Sequence, residues 1–197
     1  KNLSMNHADL IFDAAPPTMS GNYEKRPVVL VPQGSEQAVC FGFALLGSYQ
    51  AIDFATRQPK VNFKGEPIYD RKMRVFFEFH DTQVDELGED FEPTGKTRPA
   101  TFSHPVNLTM GENSNLRAML EGMRGAPYRK EQAKEGTPQK AVPMIGHSYM
   151  ITIVHKEKKD GSGLKLEMKS FSPISKKITK EEMFHEPFIF SIEDRDP

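Results

Sequence analysis

Three places in this 197-residue chain set cations beside aromatic rings, the pairing that holds a polyanion carrying flat bases. Cations neutralise phosphates, and exposed rings stack bases at about 1–3 kcal/mol each, whatever the base. The first place is a loop in which Arg57, Lys60, Lys64 and Arg71 surround Phe63 and Tyr69. The second is the alternating run Arg71–His80, where Lys72, Arg74 and Phe76 share a face. The third is Leu164–Phe171, where strict alternation puts Lys165, Lys169 and Phe171 on one face. The candidate binding residues are therefore Arg57, Lys60, Phe63, Lys64, Arg71, Arg74, Phe76, Lys165, Lys169 and Phe171. Two of the rings have a plainer alternative: Phe76 packed beneath a loop or a neighbouring subunit, and Phe171 in the core.

Catalytic chemistry has little to work with. The six histidines (His7, His80, His104, His147, His155 and His185) form no metal-binding spacing, and the lone Cys40 lies in an apolar run. Val31-Pro32-Gln33-Gly34-Ser35 lacks the spacing of a phosphate loop. The acids between Asp81 and Glu92 lack that of a calcium loop. No enzyme activity, metal or cofactor is expected.

Charge is arranged in blocks although the net charge is only −1. Residues 57–74 carry six cations against two acids, and residues 156–180 eight against three. Residues 81–92 carry six acids and no cation, and residues 181–197 six acids against Arg195. Such distribution matters more for nucleic acid than the total. One cysteine excludes an internal disulfide framework, so a reducing compartment is expected. No apolar run approaches the roughly 18–20 residues of a membrane helix, and no leader pattern opens the residues given. Neither membrane association nor a signal peptide is expected.

The elements that must position these residues are mostly strands. Gln37–Phe54 is a long aromatic run that Gly42 and Gly47 would bend sharply. Arg71–His80 alternates with Met73, Val75, Phe77 and Phe79 on one face. Residues 81–100 are acidic and then Gly/Pro-rich, and are expected to be a loop. Phe102–Met110 alternates again, with Pro105 marking an edge or a late start. Asn113–Gly125 reads as a capped helix whose stripe is Leu116, Met119, Leu120 and Met123. Arg129–Lys134 suits one or two helical turns. His147–Lys156 and Leu164–Phe171 then form a hairpin about Asp160-Gly161-Ser162-Gly163.

The order β-β-β-α-β-β is that of the oligonucleotide/oligosaccharide-binding (OB) barrel, five strands with one helix between strands 3 and 4. On this basis residues 1–36 are an N-terminal extension, 37–174 the OB domain and 175–197 an acidic tail.

Three segments carry a family resemblance: S-N-L-R-A-M-L-E-G-M-R-G (114–125), M-I-G-H-S-Y-M-I-T-I-V-H-K (144–156) and L-K-L-E-M-K-S-F-S-P-I (164–174). They resemble bacteriophage single-stranded DNA-binding proteins with an OB fold, whose helix commonly reads S-x-L-R-x-x-L-E-x-W-R-G. Met123 stands where that pattern has Trp, a packing change on the apolar stripe. The resemblance implies sequence-independent coating of single-stranded DNA in phage replication or recombination, in the cytoplasm of the infected host. It supplies no catalytic residue. The acidic C-terminus would recruit phage or host replication proteins. Two rivals remain: a barrel that binds protein through exposed Phe residues, and a virion component.

Overall fold

The computed structural model describes residues 30–192 apart from 54, 90–91, 130, 133–143, 160, 162 and 176. Six strands and one helix follow in the order β1 (Gly34–Gln50), β2 (Tyr69–Leu87), β3 (Pro93–Asn107), α1 (Asn115–Arg124), β4 (Ser148–Glu157), β5 (Leu164–Pro173) and β6 (Phe188–Ser191). The first five strands form an antiparallel sheet in the order β3-β2-β1-β4-β5. β6 pairs parallel with β1 at Gly42–Leu45, alongside the stretch of β1 that β4 leaves free.

The expected strands and helix thus appear in the expected order, and the chain is mainly β. Closure into a barrel does not appear, since β3 and β5 are not paired among the described residues. The sixth strand was not anticipated, because Phe188–Ser191 is too short to show a period.

Residues 81–100 are not a loop. β2 runs on to Leu87 and β3 starts at Pro93, so this stretch is a two-stranded ribbon turning at Gly88–Glu92. Clustered acids do not prevent pairing on a solvated ribbon. Here Asp85 faces Thr97 and Val84 faces Arg98, with Lys96 next along. β3 is an edge strand, as Pro105 suggested, and it carries Pro93 and Pro99 as well. Of Arg129–Lys134, Glu131 and Gln132 form a turn, while residues 130, 133 and 134 lie outside the described residues.

Alternation fixes the core. Met73, Val75, Phe77 and Phe79 of β2 face inward onto Cys40, Phe43, Ile151 and Ile153. Full burial of such side chains is worth about 1.5–3 kcal/mol each. Burial pushes the Cys40 thiol up to about 12, so it is an unreactive apolar filler.

Two bulges break the alternation, and both matter. In β1 the register slips between Cys40 and Gly42, which turns Phe41 to the outer face and returns Phe43 to the core. In β5 it slips between Met168 and Ser170, opposite Ile153 and Thr152. The extra residue, Lys169, turns Phe171 inward beside Met168.

The helix closes the open side. The Ser114 hydroxyl accepts from Arg117 N–H at 3.2 Å, and Gly125 ends the helix at φ 69°. Leu116, Met119, Leu120 and Met123 are buried, as the stripe predicts. Gly122 permits the close approach to β5: a Cβ there would meet the Phe171 carbonyl oxygen. Gly122→Ala should therefore cost about 1–3 kcal/mol in urea unfolding. Gly111→Ala, at a site open to solvent, should stay within about 0.5 kcal/mol. Equal effects would separate the helix seat from the glycine.

Candidate nucleic-acid interface

Between β1 and β2 the chain projects as an arm, residues 51–68. Its two sides are tied by Ala51 N–H to Ile68 O at 2.8 Å, Lys60 N–H to Ala51 O at 2.7 Å and Ile68 N–H to Lys60 O at 3.0 Å. Polar side chains fix its turns. The Asp53 carboxylate accepts the N–H groups of Ala55 and Thr56, each at 2.9 Å, and these backbone donors hold its carboxyl below the ordinary range. The Asn62 carbonyl accepts Lys64 N–H at 2.8 Å and Glu66 N–H at 3.0 Å. The arm is therefore preformed rather than an unstructured loop.

Its tip presents Phe63, 94% exposed, with the Lys64 ammonium 5.7 Å from the ring centre. Arg57 and Lys60 are exposed along the arm, and Arg71 at its base. Among the described residues none of these cations is held in an ion pair. Beside them Lys72 lies 5.2 Å from the Tyr49 ring, and Tyr69 is 59% exposed. The Lys72–Tyr49 pair was missed in the sequence because the two residues belong to different strands. It follows from the register Gln50↔Tyr69, which pairs the base of the arm.

The other predicted residues are placed differently. Arg74 is exposed but donates to the Ser103 hydroxyl at 2.7 Å. Phe76 is half-buried under the C-terminal segment, its ring 5.1 Å from Phe188 and 6.1 Å from Phe41. Phe171 lies in the core, 5.7 Å from Phe77. These are the plainer alternatives for both rings. Lys165 and Lys169 converge with Lys156 on Glu167 at 3.0, 2.6 and 2.9 Å, and hold that carboxyl far below its usual range. The ten candidates therefore fall into separate groups. Arg57, Lys60, Phe63, Lys64 and Arg71 come together on and at the foot of the arm; Arg74 and Phe76 lie along β2, and the β5 residues across the sheet. The acidic ribbon sits at the far end of β2 from the arm, so one strand carries opposite charge at its two ends.

Phe76 is covered because residues 181–192 form a strap across the outer face of β1 and β2. Phe188 packs on Gly42, where any Cβ would strike its ring. His185 stacks on Phe41 at 5.0 Å. The strap is held by Glu78, which is fully buried. Its carboxylate accepts from Phe184 N–H at 2.6 Å, His185 N–H at 2.9 Å and His185 Nδ1 at 2.6 Å, with His80 Nε2 at 2.9 Å. Arg98 donates to His185 Nε2 at 3.1 Å, so the imidazole keeps its proton on Nδ1. Burial would raise the Glu78 carboxyl, but the backbone donors and the two histidines more than offset it and hold it low. Sequence alternation put Glu78 on an outer, polar face, and gave no sign of this role.

Compared with family models, curated proteins and solved structures, the chain matches none of them.

Because Glu78 titrates below its unfolded value in the folded protein, its contribution is complete above about pH 4.3 and is lost as the pH falls through the folded value. The protection of the Phe184 and His185 amides, measured against the exchange rate of an unstructured chain at the same pH, should therefore fall on acidification from pH 6 to 3. Glu78→Gln should loosen the strap at pH 6, at a cost of about 1.5–3 kcal/mol. Unchanged protection at both pH values in the unaltered protein would refute the anchor.

Proposed function

We propose that the protein binds single-stranded DNA without sequence preference, through the β1–β2 arm. The carrying observation is the preformed arm tip: a ring 94% exposed beside a lysine, in a hairpin bearing Arg57 and Lys60 with Arg71 at its foot. A large apolar ring held in water by an ordered turn is a stacking platform awaiting a flat partner. The cations around it supply the salt-dependent attraction. Tyr49 and Tyr69 extend the platform toward the sheet.

The fold supports an OB-type reading in its element order, in β1 pairing with both β2 and β4, and in the helix between β3 and β4. The arm then corresponds to the loop between strands 1 and 2, which OB folds use for oligonucleotides. With the phage-like segments, this points to a binding protein of phage replication or recombination, acting in the infected cell's cytoplasm by coating rather than catalysis. Its acidic C-terminus is a contact for phage or host replication proteins.

One observation favours a second reading. Ile52, Val61 and Ile68 are also exposed on the arm, and such apolar area suits a protein partner. Salt separates the two, because an apolar interface is nearly salt-insensitive.

Anisotropy of labelled oligo-dT, at low and physiological salt beside an equal duplex, tests the proposal. Single-strand binding weakened by salt is expected. Phe63→Ala should cost about 1–3 kcal/mol with the salt slope unchanged. Lys60→Ala and Lys64→Ala should each lower the slope by about 0.7. Absence of binding at low salt would overturn the proposal.

A further inference from the structure

Across the sheet from the arm, the outer edges of β3 and β5 curl toward each other but do not pair. His104 of β3 and Phe171 of β5 meet edge to face, ring centres 5.2 Å apart. Beyond that contact they part to leave a cavity of about 710 Å³, with α1 as its floor. Ser103 and His104 form one wall and Lys165–Phe171 the other; Ala118 and Gly122 line the floor.

Three features define what fits. First, β5 offers a row of backbone N–H and C=O groups with no strand partner among the described residues, and such groups need one when covered. Second, the helix packs onto β5 at Gly122 and Phe171, and ahead of that contact the floor drops at the exposed Ala118, between Asn115 and Met119, so a chain can lie along β5 up to Ser170. Third, three lysines surround one glutamate on β4 and β5, and Lys165, Lys169 and Glu167 all line the cavity, so its rim is net positive. Burial, with Lys169 nearby, holds His104 below the usual histidine range, so the positive charge of the rim comes from the lysines.

We propose that this seam is a peptide-binding site, in which an extended segment of a partner protein, alternating apolar and acidic residues, adds as a strand to the edge of β5. Backbone pairing supplies the affinity. The apolar side chains face Met168 and Phe171, and the acidic ones meet Lys165 and Lys169. A nucleic acid would answer the lysines but leave the β5 amides unpaired, which favours peptide. The site is separate from the arm and does not depend on how the arm is used.

The probe is a labelled seven-residue peptide of alternating valine and glutamate, with a valine–lysine peptide as control. The acidic peptide should bind at least about tenfold tighter than the basic one. It should slow amide exchange within Lys165–Ser170. Ala118→Trp, which fills the groove from an exposed helix position, should weaken it at least about tenfold while leaving oligo-dT binding unchanged. Lys169→Glu should reverse the preference for acidic peptide. No binding up to about 1 mM, or binding untouched by Ala118→Trp, would overturn the site. So would β5 amides already fully protected in the free protein, which would mean that the chain fills its own seam. Loss of oligo-dT binding in Ala118→Trp with peptide binding intact would assign the groove to nucleic acid instead.

Discussion

The structure turns on the hydrogen-bonding demands of β1. Its 17 residues must be paired along both edges. One edge is taken by β2, while the other is divided between β4 at Gly34–Val39 and β6 at Gly42–Leu45. The bulge at Phe41 lies at the changeover. Without it Phe41 and Phe43 would share a face, leaving the core or the outer surface without its aromatic. With it, one ring anchors the strap and the other the core. The curvature that brings the β3 and β5 edges toward each other belongs to the same sheet.

Among the described residues, Glu78 is the one charged side chain that is buried. Glu78 sits opposite the hydrophobic face of β2 and receives four donors, two of them backbone N–H groups of the strap. A carboxylate so enclosed selects one docking position, because any slip of the strap would strip it of three of its four donors. Glu181, nearby, shows the opposite condition: one of its carboxylate oxygens is buried without a partner, and burial pushes its carboxyl upward. The strap therefore has a firm end at Phe184–His185 and a strained one at Glu181.

What could be read from the residues was whatever depends on period and caps. The inward set Met73, Val75, Phe77 and Phe79, the Ser114 and Gly125 caps and the hairpin of β4 with β5 all follow from local pattern. What could not be read depends on a single inserted residue or on distant partners. Unbroken alternation puts Phe171 on the lysine face, and the bulge at Lys169 inverts it. Local pattern leaves Phe76 on an open face, because the covering Phe188 lies more than a hundred residues later. The acids and prolines of residues 81–100 point to a solvated loop, although a solvated ribbon tolerates both. The arm was legible as composition, but its order comes from Asp53 and Asn62 bonding their own backbone.

The prolines of β3 have a consequence for assembly. At positions 93, 99 and 105 they remove backbone donors from one rim of the sheet, while β5 keeps its donors on the other. A sheet with two open rims can be stacked rim to rim without limit, the geometry of fibres. Here the proline-bearing rim of β3 is the poorer template, so strand addition at β5 is not readily repeated at the other end of the sheet, and two copies meeting through β5 would turn their proline-bearing rims outward.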